Sequence, residues 1–317
     1  MIFYFVGCSS NDDDASILTQ APYKTLTDSI NDYPNRAELY HRRGTLLAQS
    51  EELDLAKTDY LKAWSLQGSE ENAISIASVL MKQNTDSAIL FIEQALKKLP
   101  QSIVLQVSLA RGYQQKKDYN KALTVCNNII VQFPNQIDAL LLKAELLQTM
   151  NRGAEALQTL EQAYKYAPFD AELAYNLAFE YAQAKNPKAL AVADSLIKMD
   201  SSKSHAEPYY IKGVYYANNG NTTEALNFYN QAIQHDYYFI DAYMDKGSLL
   251  YDSKDYPQAL KTFQLAAKVT PTFADAYYWQ GKTEEAMGKK QEAKQNYQRA
   301  YSLDKSLVEA KTAAEKL

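Results

Sequence analysis

The stretch Asp241-Ala242-Tyr243-Met244-Asp245-Lys246-Gly247, continued through Leu250, Tyr256, Ala259, Phe263, Ala266 and Pro271, decides the fold. It reads as one helix carrying a small residue, a polar turn, and a second helix built around alanine. Pro271 closes the second helix, because proline has no N–H to donate and its ring clashes with the preceding turn.

The pattern recurs. Alanine stands at Ala56, Ala88, Ala122, Ala156, Ala189, Ala225, Ala259 and Ala293, in steps of 32, 34, 34, 33, 36, 34 and 34 residues. A small residue keeps the same step at Gly44, Ala110, Ala144, Ala178, Gly213, Gly247 and Gly281, and is missing once, at Ile76. A period of 34 residues is the mark of a stacked array of helical hairpins. Such an array grows by stacking and needs no single core, which overrides the two globular domains that 317 residues would otherwise suggest.

Small residues where the two helices cross let the backbones approach to the short end of the usual spacing of about 8–10 Å. Four places after every alanine of the series but Ala189 comes Tyr60, Ile92, Cys126, Leu160, Tyr229, Phe263 or Tyr297. These are expected to fill the gap against the next unit's first helix. Pro34, Pro100, Pro134, Pro168 and Pro271 end helices, and Asp118 and Asp255 stand where a carboxylate caps free N–H groups.

The order aromatic, small, aromatic, alanine, aromatic, alanine, proline resembles the tetratricopeptide repeat over about residues 37 to 305. The resemblance implies an all-α, right-handed superhelical solenoid of about eight helix-turn-helix repeats with capping helices. Units one to five would occupy 37–200 and units six to eight 206–305. Segments 15–34 and 306–317 would cap the ends, with the polar outer faces that solubility requires. Two places break the pattern. The second unit is short and carries Ile76, and the fifth has Asn186-Pro187 in its turn, a run through Ala189, Ala193 and Leu196 without an aromatic, and a long polar exit from Asp200 to His205. That exit is either a joint between two blocks or a plain loop insertion.

The formal net charge of −5 argues against nucleic acid, whose phosphates need a basic face. Two cysteines, Cys8 and Cys126, make neither a disulfide framework nor a zinc spacing, and Cys126 reads as a small buried hydrophobe. The first six residues are apolar and run into Gly7-Cys8-Ser9-Ser10, then Asn11-Asp12-Asp13-Asp14. This resembles the end of a bacterial lipoprotein signal. The serine and acids after the cysteine resemble export signals of surface lipoproteins in the Bacteroidetes group. The resemblance implies that residues 1–8 are the remnant of a signal with a lipidated Cys8, that 9–14 are an acidic tether, and that the protein sits on the cell envelope as an outer-membrane lipoprotein. Phe5 stands where leucine is usual and no basic segment precedes it, which places the true start upstream of Met1. The competing reading is an apolar N-terminus that happens to contain Cys8.

No catalytic constellation emerges. His41, His205 and His235 fall in different units without ligand spacing and read as surface histidines. Nucleophile-elbow and phosphate-loop motifs are missing. We therefore expect neither an enzyme, a cofactor nor a bound metal. In the tetratricopeptide family, exposed first-helix residues line a concave groove that contacts a protein or peptide partner. The matching positions include Arg42, Arg111, Tyr175, Phe179, Tyr210, Met244, Tyr251, Tyr278 and Trp279, so the early face is polar with basic character and the later one aromatic. Tyr175 and Tyr210 fit a groove or inter-unit packing equally. Trp279 is assigned to the groove, since Tyr277 fills its unit's packing slot. An aromatic face suits a protein hot spot, and it would also stack sugars.

Acids at Glu38, Glu70, Asp138, Glu172, Glu207, Asp241 and Asp275 are read as partners of helix dipoles, in preference to an acidic ladder that recruits a basic partner. Chaperone-binding members of the family clamp a C-terminal carboxylate with lysines, an arginine and asparagines on consecutive first helices. That set does not stand at the matching positions here. The expected function is a membrane-anchored, non-catalytic scaffold, with a glycan-handling lipoprotein and a cytosolic adaptor as alternatives.

Overall fold

A computed structural model describes residues 17–200 and 205–317. Cys8, the tether 9–14 and most of the exit 201–204 lie outside the described residues. The described chain is helical, with 18 helices and no strand among the described residues.

It divides into two compact units between Thr159 and Leu160. The first contains α1 (Lys24–Asp32), then the hairpins α2 (Ala37–Gln49)/α3 (Leu53–Leu66), α4 (Glu70–Gln83)/α5 (Thr85–Lys98) and α6 (Ile103–Gln115)/α7 (Tyr119–Gln132), then α8 (Ile137–Thr149). Helix α9 (Gly153–Tyr166) spans the boundary. The second unit continues with α10 (Ala171–Gln183)/α11 (Lys188–Met199), α12 (Glu207–Asn218)/α13 (Thr222–His235), α14 (Ile240–Asp252)/α15 (Tyr256–Val269) and α16 (Ala274–Ala286)/α17 (Lys290–Leu303), and ends on α18 (Val308–Lys316).

Side-chain caps start many of these helices. Ser69, Asn84, Ser102, Asp118, Asp170, Asn221 and Asp255 each accept a hydrogen bond from the backbone N–H three residues on. This satisfies one of the donors that a helix start leaves free. The carboxylates in first helical turns, Glu38, Asp138, Glu172, Glu207, Asp241 and Asp275 among them, sit where the dipole favours them.

The turn inside each hairpin has a repeated backbone solution. Glu51, Lys117, Asn151, Lys185, Gly220, Lys254 and Gly288 all adopt positive φ, between 56° and 78°. At each, the next residue's N–H reaches five residues back, as in Asp118 to Tyr113 and Asp255 to Leu250. This left-handed close ends the first helix and launches the second. The second hairpin lacks it. There Asn84 ends α4 and caps α5 at once, so the turn is shortened, and the 32-residue step from Ala56 to Ala88 has its cause.

The alanines of the ladder, Ala56, Ala88, Ala122, Ala156, Ala189, Ala225, Ala259 and Ala293, are all fully buried. The aromatic four places on differs from the expectation: it lies first against its own hairpin. A Cβ built on Gly213 would meet the Tyr229 ring at 2.6 Å, one on Gly281 the Tyr297 ring at 2.8 Å, and one on Gly44 the Tyr60 ring at 3.0 Å. Phe263 covers Gly247 in the same way, and its ring also stacks on Trp279 of the next hairpin, centroids 5.6 Å apart. A ring is therefore coupled to a glycine sixteen residues earlier. Where that position is Ile76, the residue sixteen on is the smaller Ile92, and both are fully buried.

The two ends are covered differently. Arg43 of α2 pairs with Asp59 of α3 through two hydrogen bonds of 2.7 Å and donates to Thr27 of α1 at 2.9 Å, tying the first helix to the first hairpin. At the other end Ala310 and Ala314 of α18 join the apolar cluster around Tyr243, Tyr277 and Tyr297.

Candidate functional site: the first-helix faces

Within the first unit, α4 and α6 flank a cavity of about 520 Å³, lined by Ile74, Ala77, Met81, Lys82, Ser108 and Arg111 among others. Its floor is apolar and its rim cationic. Arg111 is exposed on that rim, while Lys82 is held by Glu51 at 3.2 Å. Arg42 is exposed on α2, 3.8 Å from Glu38, and does not line this cavity.

His41 is not a surface histidine. Its Nδ1 lies 2.8 Å from Asn72 Oδ1, and the Asn72 amide donates to the Gln67 carbonyl at 2.8 Å. The oxygen of that amide faces His41 Nδ1, and His41 Nε2 lies 3.4 Å from Glu71 Oε1. His235 is half-buried and stacks on Tyr209 at 4.2 Å, so only His205 is exposed as expected. The expectation failed because a period places helices, whereas these histidines contact neighbours 31 and 26 residues away.

The second unit presents rings. Tyr175 and Phe179 stand on α10, Tyr210 on α12, Met244 and Tyr251 on α14, and Tyr278 and Trp279 on α16, all half-buried. Phe179 stacks on Tyr210 with centroids 6.3 Å apart and planes 14° apart. The edges of Tyr210 and Phe239 meet at 5.1 Å, and Tyr229 lies 5.9 Å away. Tyr175 approaches His205 at 6.4 Å. Tyr210 thus packs between hairpins, against Phe179 before it and Phe239 after it.

The Tyr210 hydroxyl donates to Asp245 Oδ2 at 2.8 Å. Burial, and then the neighbouring carboxylate, push the Tyr210 phenol well above its ordinary range. Burial also raises the Asp245 carboxyl above 3.8, with Asp241 adding to the rise and the Tyr210 hydrogen bond opposing it.

Trp279 is engaged on more than one side. Phe263 stacks on it, Tyr251 meets it at 5.6 Å with planes 77° apart, and the Lys282 ammonium lies 4.1 Å from its ring centre. Lys282 also stands over Tyr251 at 5.5 Å and Tyr278 at 5.8 Å. The slot argument from Tyr277 placed Trp279 in the groove alone, and the structure makes it part of the core as well. Beyond it a cavity of about 480 Å³ opens between α16, α17 and α18, lined by Tyr278, Lys282, Glu285, Tyr297, Glu309 and Lys316. Sequence reasoning missed Glu285, Tyr297 and Lys316, because they come from three different helices. The Tyr297 hydroxyl donates to Glu285 at 2.7 Å.

No group of three or more metal-ligating side chains exists among the described residues. None of their helices is long and apolar enough to cross a membrane.

Comparison with known proteins agrees with this architecture. Tetratricopeptide-repeat family models match residues 37–70 and 274–307, and a second such model matches 180–237. A model described as anaphase-promoting complex, cyclosome, subunit 3 matches 81–163. The chain is 25% identical over 165 residues to the Hsp70-Hsp90 organizing protein of Triticum aestivum, a match spanning 52% of this chain and only 27% of that protein. Among solved structures it resembles a tetratricopeptide repeat protein from Parabacteroides merdae, with a TM-score of 0.63, 18% identity, and coverage of 77% of this chain and 97% of the other. It also resembles PilW, described as a widely conserved type IV pilus biogenesis factor, with a TM-score of 0.52, 19% identity, and coverage of 62% and 91%. The hairpins at 37–70, 180–237 and 274–307 thus match tetratricopeptide-repeat models, and the all-helical fold resembles a solved tetratricopeptide repeat protein.

Proposed function

We propose that this tetratricopeptide-repeat chain is a non-catalytic scaffold that holds a protein partner against its first-helix faces. The observation that carries the reading is the row of half-buried rings Phe179, Tyr210, Tyr251 and Trp279 on successive first helices of the second unit. Such rings offer contact area at low entropic cost, the composition that binding hot spots favour. In the first unit the apolar cavity beneath Arg111 offers a pocket of different polarity. The tetratricopeptide-repeat models that match parts of the chain support the class.

A glycan partner is less well served. A sugar stacks on an open ring face, and the Trp279 ring is already covered by Phe263 and Lys282.

The address belongs to the same proposal. Cys8 would carry the lipid and residues 9–14 would tether the repeats to the cell envelope. Two or more acyl chains, at about 0.8 kcal/mol per buried methylene, suffice for stable attachment.

Affinity purification from cross-linked cells, with the wild-type chain beside Arg111→Glu and Tyr278→Ala, tests the scaffold. A protein recovered with the wild type and lost from either variant supports it; identical recovery from all three refutes the assigned faces. Metabolic labelling with a clickable fatty acid tests the anchor. Label that persists in Cys8→Ala, or its complete absence from the wild type, overturns that part alone.

A further inference from the structure

We propose that the face around Asp245 is a binding site for a cationic side chain, a lysine or arginine carried by a peptide segment of the partner protein. The proposal rests on the scaffold reading and specifies its chemistry at one place.

Asp245 is a half-buried carboxylate that meets no cation among the described residues. Its Oδ2 accepts from Tyr210, and no lysine, arginine or histidine among the described residues lies within ion-pair distance of it. The basic side chains nearby in sequence are turned elsewhere. Lys246 donates to Asn230 at 2.7 Å, and Lys212 pairs with Asp194 at 2.8 Å. Asp241, one helical turn earlier, adds a second negative charge instead of relieving the first. Removing a carboxylate from water is costly unless a countercharge and further hydrogen bonds replace the solvent. A carboxylate has about four lone-pair sites, and the fold fills one of them with the Tyr210 hydroxyl.

The surroundings suit an ammonium or guanidinium. Phe179 stacks on Tyr210 and Phe239 meets it edge-on, an aromatic surround whose low local dielectric strengthens a charge pair. The last hairpin shows the same chemistry completed from within. There Lys282, one residue past the small Gly281, places its ammonium over Tyr251, Tyr278 and Trp279. The matching positions one and two hairpins earlier are Ser248 and Val214, so at Tyr210 and Asp245 the described residues offer rings and a carboxylate but no cation in the place that Lys282 fills.

Selection of a phage-displayed random dodecapeptide library on the immobilised full chain tests the assignment. Selected peptides are then synthesised and their affinities read by fluorescence anisotropy. The expected result is enrichment of lysine or arginine and a loss of about tenfold or more in Asp245→Asn, the scale of a charge-assisted contact. Asp245→Asn keeps the shape and the acceptor for Tyr210, and its melting curve reports whether it is folded. Asp245→Glu, which keeps the charge, should recover part of the affinity. Peptides without basic residues, or equal binding to wild type and Asp245→Asn, would overturn the cation site and leave the scaffold reading standing. A selection that returns no binder at all would overturn both.

Discussion

Tyr229 lies so closely across Gly213 that a methyl group built on the glycine would stand 2.6 Å from the ring carbons Cδ1 and Cε1. The contact joins the two helices of one hairpin, α12 and α13, at their crossing. Overpacking a well-filled crossing costs about 1–3 kcal/mol, against a gain of up to about 1 kcal/mol from replacing glycine by alanine in a helix. Gly213→Ala should therefore lower the melting temperature. Gly153→Ala, at the start of α9 with nothing within 4 Å of the new methyl, should leave it unchanged or raise it. Equal effects in the two variants would show that the crossing is not tight.

Arg43 and Asp59 form a paired, buried contact with side chains only 9% and 6% exposed. Removing one partner strands the other charge, at a cost of about 3–5 kcal/mol. Asp59→Ala should destabilise on that scale and loosen α1, whose Thr27 is held by the same guanidinium. Hydrogen exchange across Lys24–Asp32 is the local readout; protection unchanged from wild type would mean that the arginine does not hold the first helix.

Lys117 and Lys254 sit at φ of 61° and 62°, a region that costs a residue with a Cβ about 1–2 kcal/mol. Gly220 and Gly288 occupy the same turn in their own hairpins at no such cost. Lys254→Gly should stabilise by about 0.5–1 kcal/mol after the entropy of the freed backbone is deducted. Chemical denaturation with an unchanged slope and a higher midpoint is the expected outcome.

Asp245 predicts a pH dependence. Its folded carboxyl lies above the ordinary 3.8 because burial and Asp241 disfavour the charge, while Tyr210 opposes the shift. Tyr229 adds a buried phenol on the facing side and Lys246 points to Asn230. A raised carboxyl favours the fold below 3.8 and loses that contribution as pH rises through the folded value. Asp245→Asn should then be at least as stable as wild type at neutral pH, and the gap should shrink as pH falls toward 4. A variant less stable at neutral pH would show that the fold does compensate the charge.

Cys126 is fully buried, and burial pushes its thiol up to about 12. The thiolate is the nucleophile, so Cys126 should resist a thiol reagent at pH 8 until the chain unfolds. Rapid labelling of the folded protein would contradict its burial.

Several of these features were legible in the residues alone. The Ala56 to Ala293 series located every second helix, the prolines located helix ends two residues before each of them, and Asp118 and Asp255 were recognisable caps. Candidate contact positions such as Phe179, Tyr210 and Trp279 followed from their offset to the small residue. Their partners did not. Trp279 was assigned to an open groove because Tyr277 accounted for its unit, and the stack on Phe263 was hidden in the hairpin before. His41 read as a surface residue because its partner Asn72 lies in the next hairpin.

What the sequence determined by itself is the architecture, since a 34-residue repeat of small residues and alanines dictates how each helix meets its neighbour in the chain. Local periodicity and end-capping are short-range physics, and short-range physics is written in consecutive residues. Tertiary structure alone decided which rings are shared between packing and surface, and which charges find a partner. Arg43 found Asp59 and Thr27, Lys282 found three rings, and Asp245 found, among the described residues, the Tyr210 hydroxyl. Those outcomes depend on distances between side chains of separate helices, and on the water that burial removes from around them.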